Sequence, residues 1–246
     1  MSALCATTAG VLLPGFAWGI GEASQINLAQ IVYSGGNWQP RPTALRRLAW
    51  EIHKRTSLDI SLEPGHVKPF AGALAASPLI YLSGDRPFTP WQETSIDGLR
   101  RFLHLGGTLI IDPAYTIDGD DKGFSASVDE LMSTVLPEQQ LEKILTDHVI
   151  FRSFYSISRP VGRRLGSPYL TGYSIGDRLA VIRDDHDLAG AWARDNLGNW
   201  EHDVTPGGSR QRERAFRLGV NMVMYALCLD YKNEQPHRRF GASRRK

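Results

Sequence analysis

Two apolar runs constrain this chain more than any other feature: "PLIYLSG" at residues 78–84 and "TLIIDPA" at 108–114. Neither alternates with polar residues; the first ends in Gly84 and the second runs into Asp112. Both therefore read as short strands buried on two faces, as in a parallel sheet covered by helices. Between them, "TPWQETSIDGLRRFLHLGG" places Ile96, Leu99, Phe102 and Leu103 on one helical stripe and ends at Gly106 and Gly107. Strand, helix and strand in this order imply a right-handed crossover. The expected class is α/β, a mainly parallel sheet with helices on both faces.

The flanking sequence extends the pattern. "INLAQIVYS" (26–34) reads as the first strand and residues 42–56 as a helix, with Leu45, Leu48, Ala49 and Ile52 on one face and Pro42 in the first turn. "SLDISLE" (57–63) alternates and is expected to be the second strand. "SASVDELMSTVL" reads as a further helix. "HVIFRSFY", "PYLTGYSI" and "RLAVIRDD" are shorter strand candidates that would add a hairpin or edge. A last helix covers about residues 210–231, and the whole of 26–236 is expected to form one domain. A chain of 246 residues buries enough core to fold without disulfides or metal.

The two ends differ from this body. Residues 1–25 begin "MSALCATTAGVLLPGFAWGIGEA", uncharged until Glu22 and too interrupted by Gly and Pro to span a membrane. The segment is expected to be a buried first element or an export signal whose basic region lies upstream of Met1. Residues 237–246, "HRRFGASRRK", form a basic tail that holds most of the positive excess behind a net charge of +2. The rest is slightly acidic, so nucleic-acid binding is not expected. Cys5 and Cys228 are too far apart in sequence for a CxxC motif, and Cys228 is expected to be a buried thiol in the last helix.

Ligands of open α/β sheets bind beyond the carboxyl ends of the strands. Three loops should gather there: "SGGNWQPRP" after the first strand, "SGDRPFTP" after the third and "DPAYTIDGD" after the fourth. Gly35 and Gly36 could cradle an anion with Arg41 adding charge, or could simply make a tight turn over which Trp38 packs. Their spacing fits no nucleotide fingerprint. Asp112 could be a general base, a metal ligand or the cap of a turn. The acidic loop at Asp118, Asp120 and Asp121 misses the calcium pattern and is expected to be solvated. Asp184, Asp185, His186 and Asp187 match no zinc spacing and are expected to form a charged surface turn. Trp192, Arg194 and Trp200 together suit a flat or sugar-like ligand, or a protein interface. No metal or cofactor motif is present, so none is expected.

The blocks "YSGGNWQPRPTALRRLAWEIHKRTSLD", "IYLSGDRPF", "LRRFLHLGGTLIIDPA", "FRSFY", "GAWARDNLGNW" and "QRERAFRLGVNMVMYALCLDYK" resemble an uncharacterised bacterial family catalogued as domain of unknown function 4159, over about residues 27–235. The resemblance implies a flavodoxin-like sheet similar to class I glutamine amidotransferase-like domains, and a periplasmic or cell-envelope setting. Amidotransferases of that kind need a cysteine at a strand-to-helix elbow. No cysteine lies near a strand end here, so thiol amide hydrolysis is not expected. "HVIF" stands where the family more often has His-Pro, and Thr171 where an acidic residue is common.

The leading expectation is an exported domain that binds an unknown small molecule or an envelope protein. Its contacts would come from Tyr33, Gly36, Trp38, Arg41, Gly84, Asp112, Arg152, Trp192 and Arg194. One alternative is an envelope hydrolase or lyase on a carbohydrate-like substrate, with Asp112 and His148 as acid–base groups. The other is an envelope assembly module. No transmembrane helix is expected in the mature chain.

Overall fold

The structure is a computed structural model that describes residues 25–233 except Ile117, with side chains as far as residue 227. The tail 237–246, nearly all of the expected export segment, Cys5 and the Cys228 side chain lie outside the described residues. In chain order the elements are β1 (Ala29–Ile31), α1 (Ala44–Arg55), β2 (Gly65–Val67), α2 (Ala71–Leu74), β3 (Leu79–Gly84), α3 (Glu93–His104), β4 (Thr108–Pro113), α4 (Phe124–Val135) and β5 (Glu142–Ile144). They are followed by β6 (Leu170–Ile175), β7 (Arg178–Arg183), α5 (Leu188–Trp192) and α6 (Gly208–Asn233).

The strands form one mixed sheet in the order β2-β1-β3-β4-β7-β6-β5. Strands β1 to β4 and β7 run parallel, while β6 is antiparallel to both β7 and β5. The two apolar runs of the sequence are the sheet's centre, paired from Leu79↔Thr108 to Gly84↔Pro113. Alternate residues feed two separate cores. Tyr81, Ile110 and Ile182 join Leu45, Leu48, Ile52 and Trp192 under α1, α5 and α6. Ile80, Leu82, Leu109 and Ile111 join Leu99, Leu103, Phe124 and Met132 under α3 and α4. Full burial of each such Leu or Ile contributes about 1.5–3 kcal/mol. The sheet is thus held from both faces, as continuous apolar strands require.

Several expectations are corrected. Residues 57–63 do not form a strand: Ile60 makes only an isolated bridge to Ile26, because Ser61 folds the chain by bonding the carbonyl and amide of Glu63. The second strand starts at Gly65, whose amide is received by Asn27 and Leu28. "HVIFRSFY" is a 3-10 turn over Val149–Arg152, with His148 Nδ1 accepting from the Ile150 amide at 3.2 Å. Its consecutive buried residues, Ile150 and Phe151, cannot share one strand face. The expected hairpin does form, from β6 and β7, and it extends the central sheet because β7 pairs in parallel with β4. Helix α1 begins two residues after Pro42. Among the described residues, no helix is long and apolar enough to cross a membrane.

Candidate functional site

The three expected loops do meet beyond the carboxyl ends of β1, β3 and β4, and they close on one another. Ser34 O accepts the Thr89 amide at 3.1 Å, and Asn37 Nδ2 donates to Asp85 at 2.9 Å. The Tyr33 hydroxyl sits between Ser83 O at 2.8 Å and Asn37 O at 2.9 Å. A Cβ at Gly35, where φ is +84°, would lie 1.9 Å from Thr89 Oγ1; one at Gly36 would lie 2.9 Å from Pro87 O. A Cβ at Gly84 would strike the Phe124 ring. These glycines serve loop–loop approach, which decides for the tight turn over the anion cradle. Trp38 is anchored through its carbonyl by Gln30 and lies edge-on to His66.

Arg41 is held inside this edge. Its Nη2 donates to Asp187 Oδ2 at 2.8 Å and to Tyr115 O at 3.1 Å. Arg163 converges on the same acceptors, Asp187 Oδ2 at 2.6 Å and Tyr115 O at 2.7 Å. Asp187 also receives the Gly190 amide at 2.9 Å and caps α5, with its backbone in the left-handed region at φ 56°. An aspartate tolerates that conformation because its short side chain bonds locally. One carboxylate thereby joins the loop after β1, the loop after β4, the 163 segment and α5.

Asp112 ends β4 as expected, but it faces inward. Its oxygens accept the Leu188 amide at 2.9 Å, the Ala189 amide at 2.7 Å and the Tyr81 hydroxyl. Burial, and then the nearby Asp184 and Asp187 charges, push its carboxyl well above the usual range. Burial likewise pushes the Tyr81 hydroxyl up, with Asp112 next in effect. Asp112 is a cap for α5, closed to substrate in this conformation.

The charged surface turn is also corrected: Asp184, His186 and Asp187 are 1%, 0% and 0% exposed. His186 Nδ1 lies 2.6 Å from Asp184 Oδ1 and 3.1 Å from Asp185 Oδ1, while Nε2 lies 2.9 Å from Ser167 O. Both ring nitrogens face only acceptors, so the ring carries both protons. Burial opposes that charge, but Asp184 and then Asp185 outweigh it and raise the pKa to about 9. The three side chains offer ligand atoms within 4.8 Å of one another. A cation there would have to displace the Nδ1 proton, and the donor set fits an internal ion pair better. Beside it lies a polar recess of about 70 Å³, lined by Tyr115, Ser125, Ser167, Tyr169, Thr171, Arg183, Asp184 and Asp185.

In the acidic loop, Asp121 accepts the Gly123 and Ser125 amides at the start of α4, so it is a helix cap. His148 does not approach Asp112. It packs on Tyr225, whose hydroxyl accepts the Leu179 amide near the start of β7. Strands β7 and β4 are parallel, so His148 lies toward the amino end of the sheet and Asp112 at the carboxyl end. The expected acid–base pair does not form. Burial, the largest influence on the His148 ring, holds it below the usual histidine range. Arg152 is exposed on the 3-10 turn, apart from the carboxyl edge.

Trp192 is fully buried, against Tyr81 and beneath Gly219, so it offers no ligand surface. Arg194 is different. Its Nε donates to Gly198 O, and its guanidinium lies 5.0 Å from the Trp200 ring. Arg47 lies 4.1 Å over Trp50 and 5.6 Å from Trp200, and Arg212 lies 4.2 Å over Trp200. Of these stacked groups, Arg47, Trp50 and Arg194 line an open concavity of about 460 Å³, together with Thr43, Arg46, Leu62, Glu63 and residues 195–198. Sequence reasoning missed Arg47 and Trp50. The available signal was a tryptophan on the charged face of α1, three residues after an arginine.

A protein-family model described as "Domain of unknown function (DUF4159)" matches residues 27–227. Comparison with curated proteins gave no match.

Proposed function

The chain belongs to that family of unknown function, and from this premise and the site geometry we propose that it is a binding domain that works without thiol chemistry. The proposed fold is flavodoxin-like, of the amidotransferase-like kind. The parallel strands β2-β1-β3-β4-β7 support this, because their order is the 2-1-3-4-5 of that architecture. The carboxyl-edge loops contain no cysteine, and the carboxylates of Asp112 and Asp187 are taken up by internal donors.

The proposed ligand site is instead the concavity between α1 and residues 194–198. One observation carries the reading: it is much larger than the carboxyl-edge recess and is bordered by stacked guanidinium and indole groups. Arg46 is paired with Glu63 and Arg47 with Glu51, so Arg194 is the guanidinium that favours a ligand with an anionic group, while Trp50, Leu62 and Leu197 favour an adjoining ring or apolar edge. An assembly role would use the same surface, where Trp200 is 41% exposed. Export to the cell envelope is proposed on the uncharged, apolar stretch before Glu22.

The test is a thermal-shift screen of small ring-bearing anions on the wild type and on Trp50→Ala and Arg194→Gln. The reading expects a stabilising compound whose effect is lost in both variants. A compound that stabilises all three proteins equally would move the site elsewhere.

A further inference from the structure

A third cavity, of about 200 Å³, lies between α6 and the segment that follows the 3-10 turn. Its lining is Ser156, Ile157, Ser158, Arg159, Arg214 and Arg217, with three guanidinium groups and no carboxylate. We propose that this cavity is a binding site for a tetrahedral oxyanion, a phosphate or sulfate group either free or as a small ester.

The wall is built and held. Asn221, fully buried on α6, accepts the Tyr155 amide at 2.7 Å and donates to Ile150 O at 2.9 Å and Tyr155 O at 2.8 Å. The Ile157 amide bonds back to Phe151 O at 2.8 Å. These bonds fix the serine-bearing segment against the helix before any ligand arrives, which lowers the ordering cost of binding. Arg214 and Arg217 stand three residues apart on α6 and face the cavity from the other side.

The polar groups of the lining are also free to act. Among the described residues, Arg214 makes no hydrogen bond or ion pair, and neither the Ser156 nor the Ser158 hydroxyl has a partner. Arg159 makes one bond, from Nη2 to Gly166 O at 3.3 Å, and Arg217 uses Nε for Glu213. The neighbouring Glu213 offsets part of the Arg217 charge at 3.0 Å, but it is shared with both arms of Arg55, each at 2.8 Å, and Arg159 and Arg214 face no carboxylate in the lining. Guanidinium forks bind phosphate-type oxygens two at a time, and hydroxyls from a facing wall supply donors to those that remain. A planar carboxylate has only two oxygens and leaves part of this donor set unused. The volume suits the ion or a small ester and is below that of sites for drug-sized ligands.

The test is calorimetric titration of the full chain with inorganic phosphate, sulfate and glycerol phosphate, against chloride at matched ionic strength. Arg214→Gln is the informative variant, because that exposed side chain has no partner among the described residues and its loss leaves the fold intact. The proposal expects binding to the wild type that is weakened about tenfold or more in Arg214→Gln and in Ser156→Ala/Ser158→Ala. Tighter binding of glycerol phosphate would identify an ester as the occupant, and equal binding the free ion. No heat beyond chloride, or equal affinity in Arg214→Gln, would overturn the proposal. Trp50→Ala is expected to bind phosphate normally, which separates this site from the concavity beside α1.

Discussion

Arg41 and Asp187 stand 146 residues apart in sequence and meet at 2.8 Å, with the carboxylate wholly buried and the guanidinium side chain 14% exposed. The contact ties the loop after β1 to the turn after β7. Removing Asp187 leaves two largely buried guanidinium groups without their carboxylate, whereas removing Arg41 leaves Asp187 paired to Arg163. Asp187→Ala is expected to lower stability by about 3–5 kcal/mol and Arg41→Ala by less, about 1–3 kcal/mol, read from urea denaturation. A loss below about 0.5 kcal/mol would show that the pair does not hold these loops.

His186 gives the fold a defined response to alkali. Its pKa is raised from 6.5 to about 9, so the native state holds a proton that the unfolded chain releases. The resulting stabilisation is complete below pH 6.5, falls as pH rises and is gone above pH 9. Its size is of order 3 kcal/mol. Urea midpoints measured from pH 6 to 10 should fall more steeply for the wild type than for His186→Gln. Parallel curves would remove His186 as the source.

The two tryptophans grouped by sequence, Trp192 and Trp200, should separate on mutation. Trp192 is fully enclosed, so Trp192→Ala is expected to cost about 3–5 kcal/mol through the cavity it leaves. Trp200→Ala removes a half-exposed ring and is expected to cost about 1 kcal/mol. Denaturation of both variants in parallel checks the contrast, and equal losses would contradict it.

Gly35 tests the closed-loop reading. Gly35→Ala forces a Cβ against Thr89 at a positive φ, and is expected to cost more than about 1 kcal/mol. An unchanged denaturation midpoint would mean that the two loops are not locked together.

The runs at 78–84 and 108–114 were legible because a strand buried on both faces must be apolar at every position. The helical stripes of α1 and α3 were legible by their period, and the meeting of three loops followed from parallel topology. The cluster from Asp184 to Asp187 was not. Four charged or polar residues in a row read as solvated, and the burial of Asp184, His186 and Asp187 depends on Arg41, Arg163 and Ser167, which no local pattern connects to them. Asp112 was placed correctly at its strand end, but its direction depends on the two amides that open α5, a helix of five residues without a detectable period. The 3-10 turn at Val149–Arg152 escaped for a related reason, since one turn has no repeat to read.

The most direct test of the binding account is a proton–nitrogen NMR spectrum of the tryptophan indole groups, titrated with a compound selected by the thermal-shift screen. Trp50 lines the proposed concavity, Trp200 lies behind it against the lining residue Arg194, Trp38 lies by the closed carboxyl-edge loops, and Trp192 is in the core. The account expects the Trp50 and Trp200 signals to move while those of Trp38 and Trp192 stay in place. Movement of Trp38 with Trp50 unchanged would contradict it and return the site to the carboxyl edge of the sheet.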